Sequence, residues 1–286
     1  MITRRHFMST HAPTAVAAVI FPQLLRRAYS QDAGLFAQSA SAVLELRFGD
    51  TNLSWLLLDR TGGMLAEHWP QAAAPIAPGS LLKPFVAVAY GEQHGSVYPD
   101  VQCTGTAGHC WYPHGHGVLG LEEALAQSCN AYFLTLADGL KSEPALRCFA
   151  RLGLYGSSRV MRPADFIGLS GAWRETPLTL ARAYLSLLDD RSNPARNRIT
   201  AGMESAALNG TAREADAELG SYSVLAKTGT ASCPHHPQAT ADGFALLLYP
   251  AEHPRFLLLV RQHATTGART AGRAGAMLRA IGLGSR

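Results

Sequence analysis

The sequence is poor in lysine. Only three of its 25 basic residues are lysine, at positions 83, 141 and 227, and the other 22 are arginine. A chain that uses arginine wherever a positive charge suffices is expected to keep lysine where an amine must release a proton, because guanidinium keeps its proton. Lys83 and Lys227 also lie in recognisable local motifs, so both are candidates for chemistry.

Other absences narrow the class of protein. No run reaches the ~18 apolar residues of a transmembrane helix, and no repeat of about 20 to 50 residues is visible. The chain is 47% apolar and 16% charged, which excludes intrinsic disorder. Four of the 25 basic residues (Arg4, Arg5, Arg26 and Arg27) lie in the first 30 positions, where there is no acid, and the remaining 21 balance 21 acidic residues. This neutrality argues against a nucleic-acid partner.

The first 30 residues have the pattern of an export signal. Arg4-Arg5 followed by Phe7 resembles a twin-arginine motif, and a short apolar run over residues 15–21 precedes a small-x-small site ending at Ser30. We predict a signal peptide over 1–30 and a periplasmic or otherwise exported protein. The alternative is an uncleaved amphipathic anchor, which would be its only link to a membrane. No linker divides residues 31–286, so one domain is expected there.

Apolar periodicity predicts strands at both ends of this region and helices between them. The predicted strands cover residues 42–48, 54–59, 64–68, 221–231, 243–249 and 255–261, the last two forming a hairpin through 250–254. The predicted helices cover residues 80–92, 121–140, 144–152, 177–188 and 268–281, with a loop over 94–120. This segregation predicts an α+β domain whose antiparallel sheet is built from both ends of the chain.

Ser80 and Lys83 are spaced to meet on one face of the helix predicted over 80–92. A desolvated lysine with a lowered pKa can take the proton of a serine hydroxyl and so activate it as a nucleophile. Pro78-Gly79 places Ser80 near a helix start, where backbone N–H groups favour developing negative charge. The alternative is a surface helix that carries the two residues incidentally.

Two further motifs combine hydroxyl and amine or amide groups. Lys227-Thr228-Gly229-Thr230 on a predicted strand can dock a substrate backbone and its carboxylate; alternatively, the lysine only protects an edge strand. The other motif is Ser128-Cys-Asn130, whose serine and asparagine are mediocre helix formers able to hydrogen-bond a peptide-like substrate. Its alternative is a serine on a helix face beside a satisfied asparagine.

Together the three motifs resemble the S-x-x-K, S-x-N and K-T-G signature of the penicillin-recognising serine acyltransferases. The flanking segments at 78–85, 127–133, 176–184, 209–212 and 227–232 are similar to the transpeptidase domains of penicillin-binding proteins. The resemblance covers about residues 40–283. It implies a five-stranded antiparallel sheet flanked by helices, with an inserted all-helical lobe.

The resemblance also implies roles. Ser80 is the nucleophile toward a D-Ala-D-Ala stem peptide of peptidoglycan or a β-lactam, Lys83 the base, Ser128 a proton relay, and Lys227 a source of positive potential. The residues expected to bind substrate are Asn130, Thr228, Gly229 and Thr230. Backbone N–H groups of residues 80 and 230 would form the oxyanion hole, and the mechanism requires no metal or cofactor.

The fate of the acyl-enzyme separates the possible functions. Capture by an amine gives a transpeptidase, and capture by water gives a carboxypeptidase or a β-lactamase. Rapid hydrolysis needs a base placed to activate water. The segment that begins at Glu175 is similar to the one that carries a glutamate base and a nearby asparagine in one class of β-lactamases, but here Thr179 replaces the asparagine. We therefore expect this segment to be a helix start. We predict a transpeptidase or carboxypeptidase, with a β-lactamase and a non-catalytic sensory domain as alternatives.

The cysteines and histidines allow two readings. In an exported protein, Cys103 and Cys110 are expected to form a local disulfide. The alternative is zinc, for which the candidate ligands are Cys103, His109, Cys110, His114 and His116, with Cys233, His235 and His236 further along the chain. Cys129 and Cys148 are expected to be buried as small apolar side chains.

Overall fold

The structure is a computed structural model that describes residues 34–156, 162–190, 193, 195–220, 223–233 and 241–284. The predicted signal peptide over 1–30 lies outside this range. Within the described residues, no helix combines the length and apolar character needed to cross a membrane.

Five antiparallel strands form the central sheet in the order β2-β1-β7-β6-β5. The strands are β1 (Leu53–Asp59), β2 (Met64–His68), β5 (Leu225–Ala231), β6 (Asp242–Tyr249) and β7 (Phe256–His263). The predicted hairpin joins β6 and β7, where Tyr249 pairs with Phe256. The α+β class and the five-stranded antiparallel sheet are therefore confirmed.

Both faces of the sheet are covered. On β1, Leu56 and Leu58 pack into the core beneath the helical part of the chain, whereas Trp55 and Leu57 pack into a second core on the opposite face. Successive side chains of a strand point to opposite faces, so a strand buried on both faces is apolar at nearly every position. This is why the central strands read as continuous apolar runs.

Ten helices surround the sheet within the described ranges. The first, α1, covers residues 34–48. The others are α2 (Lys83–Gln93), α3 (Leu121–Ala126), α4 (Asn130–Asp138), α5 (Ser142–Arg151), α6 (Pro163–Phe166), α7 (Pro177–Asp189), α8 (Arg196–Leu208), α9 (Arg213–Leu219) and α10 (Gly267–Ala280). Helices α2 to α7 pack on one sheet face, and α1, α9 and α10 pack on the other. The sheet thus holds the segments of the helical part in fixed positions.

The strand predicted over 42–48 is wrong, because these residues belong to α1. Ala40, Leu44 and Phe48 recur every four residues and are all buried, whereas Leu46 is 87% exposed. Residues four apart share one helical face. The apparent alternation therefore combined two residues of the buried helical face, Leu44 and Phe48, with one surface residue, Leu46.

The helical middle also differs from expectation in three places. The helix predicted over 121–140 is interrupted at residues 127–129, between α3 and α4. The loop predicted over 94–120 contains the two-stranded ladder of β3 (Val101–Cys103) and β4 (Gly117–Leu119). Helices α6, α8 and α9 were not predicted; α6 has only four residues, and α8 buries mostly small residues and so has no strong apolar stripe.

Candidate active site

Ser80 lies in a tight turn, Gly79–Leu82, that leads directly into α2. Gly79 has φ of +56°, and a Cβ there would come within 2.7 Å of the Thr230 carbonyl oxygen. Only glycine fits this left-handed position against a neighbouring backbone. From the other side, the buried Tyr184 hydroxyl donates a hydrogen bond of 2.7 Å to Leu81 O. These contacts fix Ser80, which is partly exposed, beside the end of β5.

The same turn provides a test of its packing. Gly168 has φ of +78°, and a Cβ there would lie 2.1 Å from Gly79 O, whereas Gly171 has φ of +68° and its nearest neighbour would be 3.9 Å away. Gly171→Ala should lower the free energy of unfolding by about 1–2 kcal/mol through backbone strain alone. Gly168→Ala should lower it by about 1–3 kcal/mol more, through the added clash. Urea denaturation measures both; equal effects would show that the turn is not tightly held there.

Lys83, the first residue of α2, has a fully buried side chain. Its amine donates to Ser128 O at 2.6 Å and to Asn130 Oδ1 at 2.7 Å, and it lies 3.4 Å from Ser128 Oγ. Ser80 Oγ is not among the hydrogen-bond acceptors of this amine in the described residues. The two short bonds use the two hydrogens of a neutral amine, which leaves its lone pair free.

Ser128 occupies the interruption between α3 and α4 in a left-handed conformation, with φ of +50°. A non-glycine residue in this region is strained, and such strain is concentrated at functional sites. Its hydroxyl accepts a 2.8 Å hydrogen bond from the amine of Lys227, and its carbonyl also accepts one of 3.2 Å from Trp111 Nε1. The strained turn thus places the Ser128 hydroxyl between two lysines.

The two amines share one buried environment. Burial lowers the pKa of Lys83 from 10.5 to about 7, although Cys129 and Cys110 act in the opposite direction. Burial, followed by the charge of Lys83, lowers the pKa of Lys227 well below its ordinary value. Neither lysine has a carboxylate partner among the described residues. At neutral pH the pair therefore does not readily hold two positive charges, because like charges in a desolvated site oppose each other.

Strand β5 carries the predicted substrate-binding residues. Thr228 is buried and its hydroxyl donates to Thr211 Oγ1 at 2.7 Å, whereas Thr230 is exposed and accepts from the backbone N–H of Gly267 at 3.2 Å. A Cβ on Gly229 would lie 3.0 Å from the carbonyl oxygen of residue 78. The strand therefore lies directly against the turn of Ser80.

The structure brings together residues that are far apart in the sequence. Lys83, Ser128, Asn130 and Lys227 form one buried hydrogen-bond network, and the turn of Ser80 and the exposed end of β5 lie beside each other. Sequence analysis missed Thr211, which positions the Thr228 hydroxyl. Only its place in the 209–212 flanking segment pointed to it.

Glu175 has a structural role. One of its carboxylate oxygens accepts hydrogen bonds from the backbone N–H groups of Tyr155 and Gly156, both at 2.7 Å, and from Trp173 Nε1 at 3.3 Å. Thr176 caps the start of α7 by accepting from Thr179 N. A carboxylate oxygen with three donors is held in place, so Glu175 has a structural role. The Thr176 cap supports the interpretation of this segment as a helix start.

The predicted Cys103–Cys110 disulfide is not formed, because both residues are free thiols. Their sulfur atoms instead lie 3.5 and 3.6 Å from His116 Nδ1, and Cys110 Sγ lies 3.8 Å from Cys129 Sγ. Cys129 is buried as expected, and so is Cys148. The four residues Cys103, Cys110, His116 and Cys129 form what we call the Cys3His cluster.

Among the described residues, the other zinc candidates do not join this cluster. His109 and His114 are exposed, and residues 235 and 236 lie outside the described ranges. Cys233 instead forms a second, smaller group with Asp242 and His263, in which His263 Nδ1 lies 2.6 Å from a carboxylate oxygen of Asp242.

The family model of the penicillin-binding protein transpeptidase domain matches residues 70–281. The chain therefore belongs to the penicillin-binding protein transpeptidase family.

Several solved structures with the same fold are penicillin-binding proteins. Pseudomonas aeruginosa PBP2, in complex with the compound WCK 5153, is 20% identical with a TM-score of 0.68, over 85% of this chain and 75% of that one. The transpeptidase domain of Burkholderia pseudomallei penicillin-binding protein 3 is 18% identical with a TM-score of 0.67, over 88% and 92%. Helicobacter pylori PBP2, in complex with MreC, is 16% identical with a TM-score of 0.66, over 86% and 62%. No curated protein gave a significant match.

Proposed function

We propose that the protein is a serine D,D-transpeptidase or D,D-carboxypeptidase that acts on peptidoglycan stem peptides through an acyl-serine intermediate. Membership of the family makes it a transpeptidase-type, penicillin-binding domain. One observation supports the more specific proposal of an acyl-serine mechanism. A buried hydrogen-bond network lies beside the turn of Ser80 and is formed by Lys83, Ser128, Asn130 and Lys227.

Acylation begins with attack of Ser80 Oγ on the substrate carbonyl, while the neutral amine of Lys83 accepts the hydroxyl proton. Backbone N–H groups of residues 80 and 230 stabilise the oxyanion; one such donor typically contributes about 2.7–4 kcal/mol. Ser128 then delivers a proton to the leaving amine, or to the nitrogen of a β-lactam. Its hydroxyl lies between two amines that can return that proton.

Substrate binding involves β5. The exposed Thr230 and the backbone of Gly229 offer an edge on which an extended peptide can pair, and the carboxylate of D-alanine would lie near Thr228, Thr230 and Lys227. This carboxylate would raise the pKa of the Lys227 amine again, because an opposite charge favours the charged form. Lys227 then contributes positive potential when substrate is bound.

We expect a long-lived acyl-enzyme, because the described residues place no carboxylate beside Lys83 or Lys227 that could activate water for its hydrolysis. Glu175 is held by three structural hydrogen bonds. Slow hydrolysis favours a penicillin-binding enzyme over a β-lactamase. The predicted export signal would bring the protein to the periplasm, where peptidoglycan is found.

Covalent labelling tests this proposal. The purified chain is incubated with a fluorescent penicillin, and the label on Ser80 is followed by gel and by peptide mass spectrometry. We expect stoichiometric label that persists well after free penicillin is removed, and none on Ser80→Ala. Label lost within seconds while penicillin is consumed would identify a β-lactamase. A folded wild-type chain without label would indicate a sensory or binding domain.

Acylation should depend on pH through Lys83. Because only the neutral amine accepts a proton and its pKa is about 7, the acylation rate should fall by about tenfold per pH unit below that pKa. Above pH 8 it should level off. Quenched-flow labelling between pH 5.5 and 8.5 measures this profile, and a flat profile would exclude Lys83 as the titrating base.

A further inference from the structure

The Cys3His cluster has the dimensions of a tetrahedral metal site. With Zn–S of about 2.3 Å and Zn–N of about 2.0–2.1 Å, ideal tetrahedral geometry separates two sulfurs by about 3.8 Å and a sulfur from a nitrogen by about 3.5 Å. The corresponding distances are 3.8 Å from Cys110 Sγ to Cys129 Sγ, and 3.5 and 3.6 Å from His116 Nδ1 to the sulfurs of Cys103 and Cys110. All four ligand atoms lie within 4.8 Å of one another.

The donor types select the metal. Three thiols and one imidazole in a tetrahedron match the structural Cys3His class of zinc sites, whereas magnesium and calcium require oxygen ligands. The three cysteines are buried and the histidine is partly buried. With four protein ligands the site is closed, as in structural rather than catalytic zinc sites.

Segments held by backbone hydrogen bonds supply the ligands. The loop is closed by backbone hydrogen bonds, including Cys110 N to Gly105 O at 3.0 Å. The ligands come from β3, from this loop, from the residue before β4 and from the turn between α3 and α4.

We propose that the Cys3His cluster of Cys103, Cys110, His116 and Cys129 binds one structural zinc ion. Zn²⁺ forms three Zn–S bonds and one bond to His116 Nδ1, and each thiol that is still protonated releases its proton to solvent. No electrons are transferred, and no oxidant or reductant is required. The bound metal protects the three thiols from oxidation.

The zinc ion links the loop over 103–116 to the catalytic network. Cys129 lies between Ser128 and Asn130, and both of these bind the amine of Lys83. Holding the Cys129 sulfur fixes the strained turn that presents the Ser128 hydroxyl. The cysteines are therefore positioning residues and have no direct role in the proposed reaction.

Metal analysis of the full chain tests the proposal. Protein purified with zinc in the medium should contain about one zinc ion per chain. X-ray absorption at the zinc edge should show three sulfur neighbours at about 2.3 Å and one nitrogen at about 2.0–2.1 Å. Cys110→Ser should lose most of the zinc, whereas Cys148→Ser, which changes a buried thiol outside the cluster, should retain it. Cys233→Ser should also retain it, which separates the cluster from the second group.

Three results would overturn the assignment. The first is folded wild-type protein with less than about 0.1 zinc per chain after dialysis against zinc. The second is a coordination shell of oxygen and nitrogen only. The third is a Cys103–Cys110 disulfide in the isolated protein, detected by mass spectrometry. The spectroscopy uses wild-type protein, so a Cys110→Ser variant that fails to fold does not affect it. None of these readouts measures acylation, so they are independent of the proposed function.

Discussion

Replacing Lys83 with methionine is expected to lower the rate constant for acylation of Ser80 by about 10²–10⁴-fold, the usual contribution of a positioned proton acceptor. Lys83 is fully buried, and burial lowers its pKa to about 7. Methionine fills a similar apolar volume but has no lone pair that accepts the serine proton efficiently. Stopped-flow acylation by a fluorescent penicillin measures the loss, and circular dichroism and Tm establish that the variant is folded.

Two further variants separate proton transfer from charge. Lys83→Arg keeps the positive charge but cannot release its proton, so it should be as slow as Lys83→Met. Lys141→Met changes the remaining lysine, which is exposed, and should acylate within about twofold of wild type, as expected for a surface change. An active Lys83→Arg enzyme would mean that Lys83 acts through its charge alone.

The second large effect is expected for Ser128→Ala, which should slow acylation by about 10²-fold or more if its hydroxyl relays a proton. The substitution removes the oxygen that lies 2.8 Å from the Lys227 amine and 3.4 Å from the Lys83 amine. Alanine tolerates the left-handed backbone about as well as serine does. The effect therefore reports on the hydroxyl and not on the strain of the turn.

Ser96→Ala is the matched control for this experiment. Ser96 also has a positive φ, of 62°, and its buried hydroxyl has no hydrogen-bond partner in the described part of the chain. Removing an unsatisfied hydroxyl should change stability little or raise it slightly, and acylation should stay at the wild-type rate. If Ser128→Ala acylates within about threefold of Ser96→Ala, a change no larger than that of an ordinary surface substitution, Ser128 is not the relay.

Local sequence patterns predicted the elements that carry the motifs. The apolar runs at 54–59 and 243–249 predicted β1 and β6, and a proline near the helix start predicted α7. The pattern failed at α1, where Leu44 and Phe48 belong to a helical stripe. It also failed at α8, which packs through small side chains and shows little contrast between its faces.

Spacing within a motif did not reveal how its side chains are used. The i, i+3 spacing of Ser80 and Lys83 gave no sign that the Lys83 amine donates hydrogen bonds to Ser128 and Asn130. The only sign in the sequence that the helix is interrupted at Ser128 was that Ser128 and Asn130 are mediocre helix formers. Its left-handed backbone depends on contacts with Lys83 and Trp111, which are distant in the sequence.

The sequence alone determined the residue types and their order: a serine and a lysine three positions apart, a serine and an asparagine, and a lysine on a strand. It also determined the α+β class, because periodicity reports which face of each element is buried. The tertiary structure decided how deeply the two lysines are desolvated, and which cysteines join His116 in one cluster. Both depend on contacts between distant segments, such as those joining Ser128 to Lys83 and Lys227 across 45 and 99 positions. Local periodicity carries no information about such contacts.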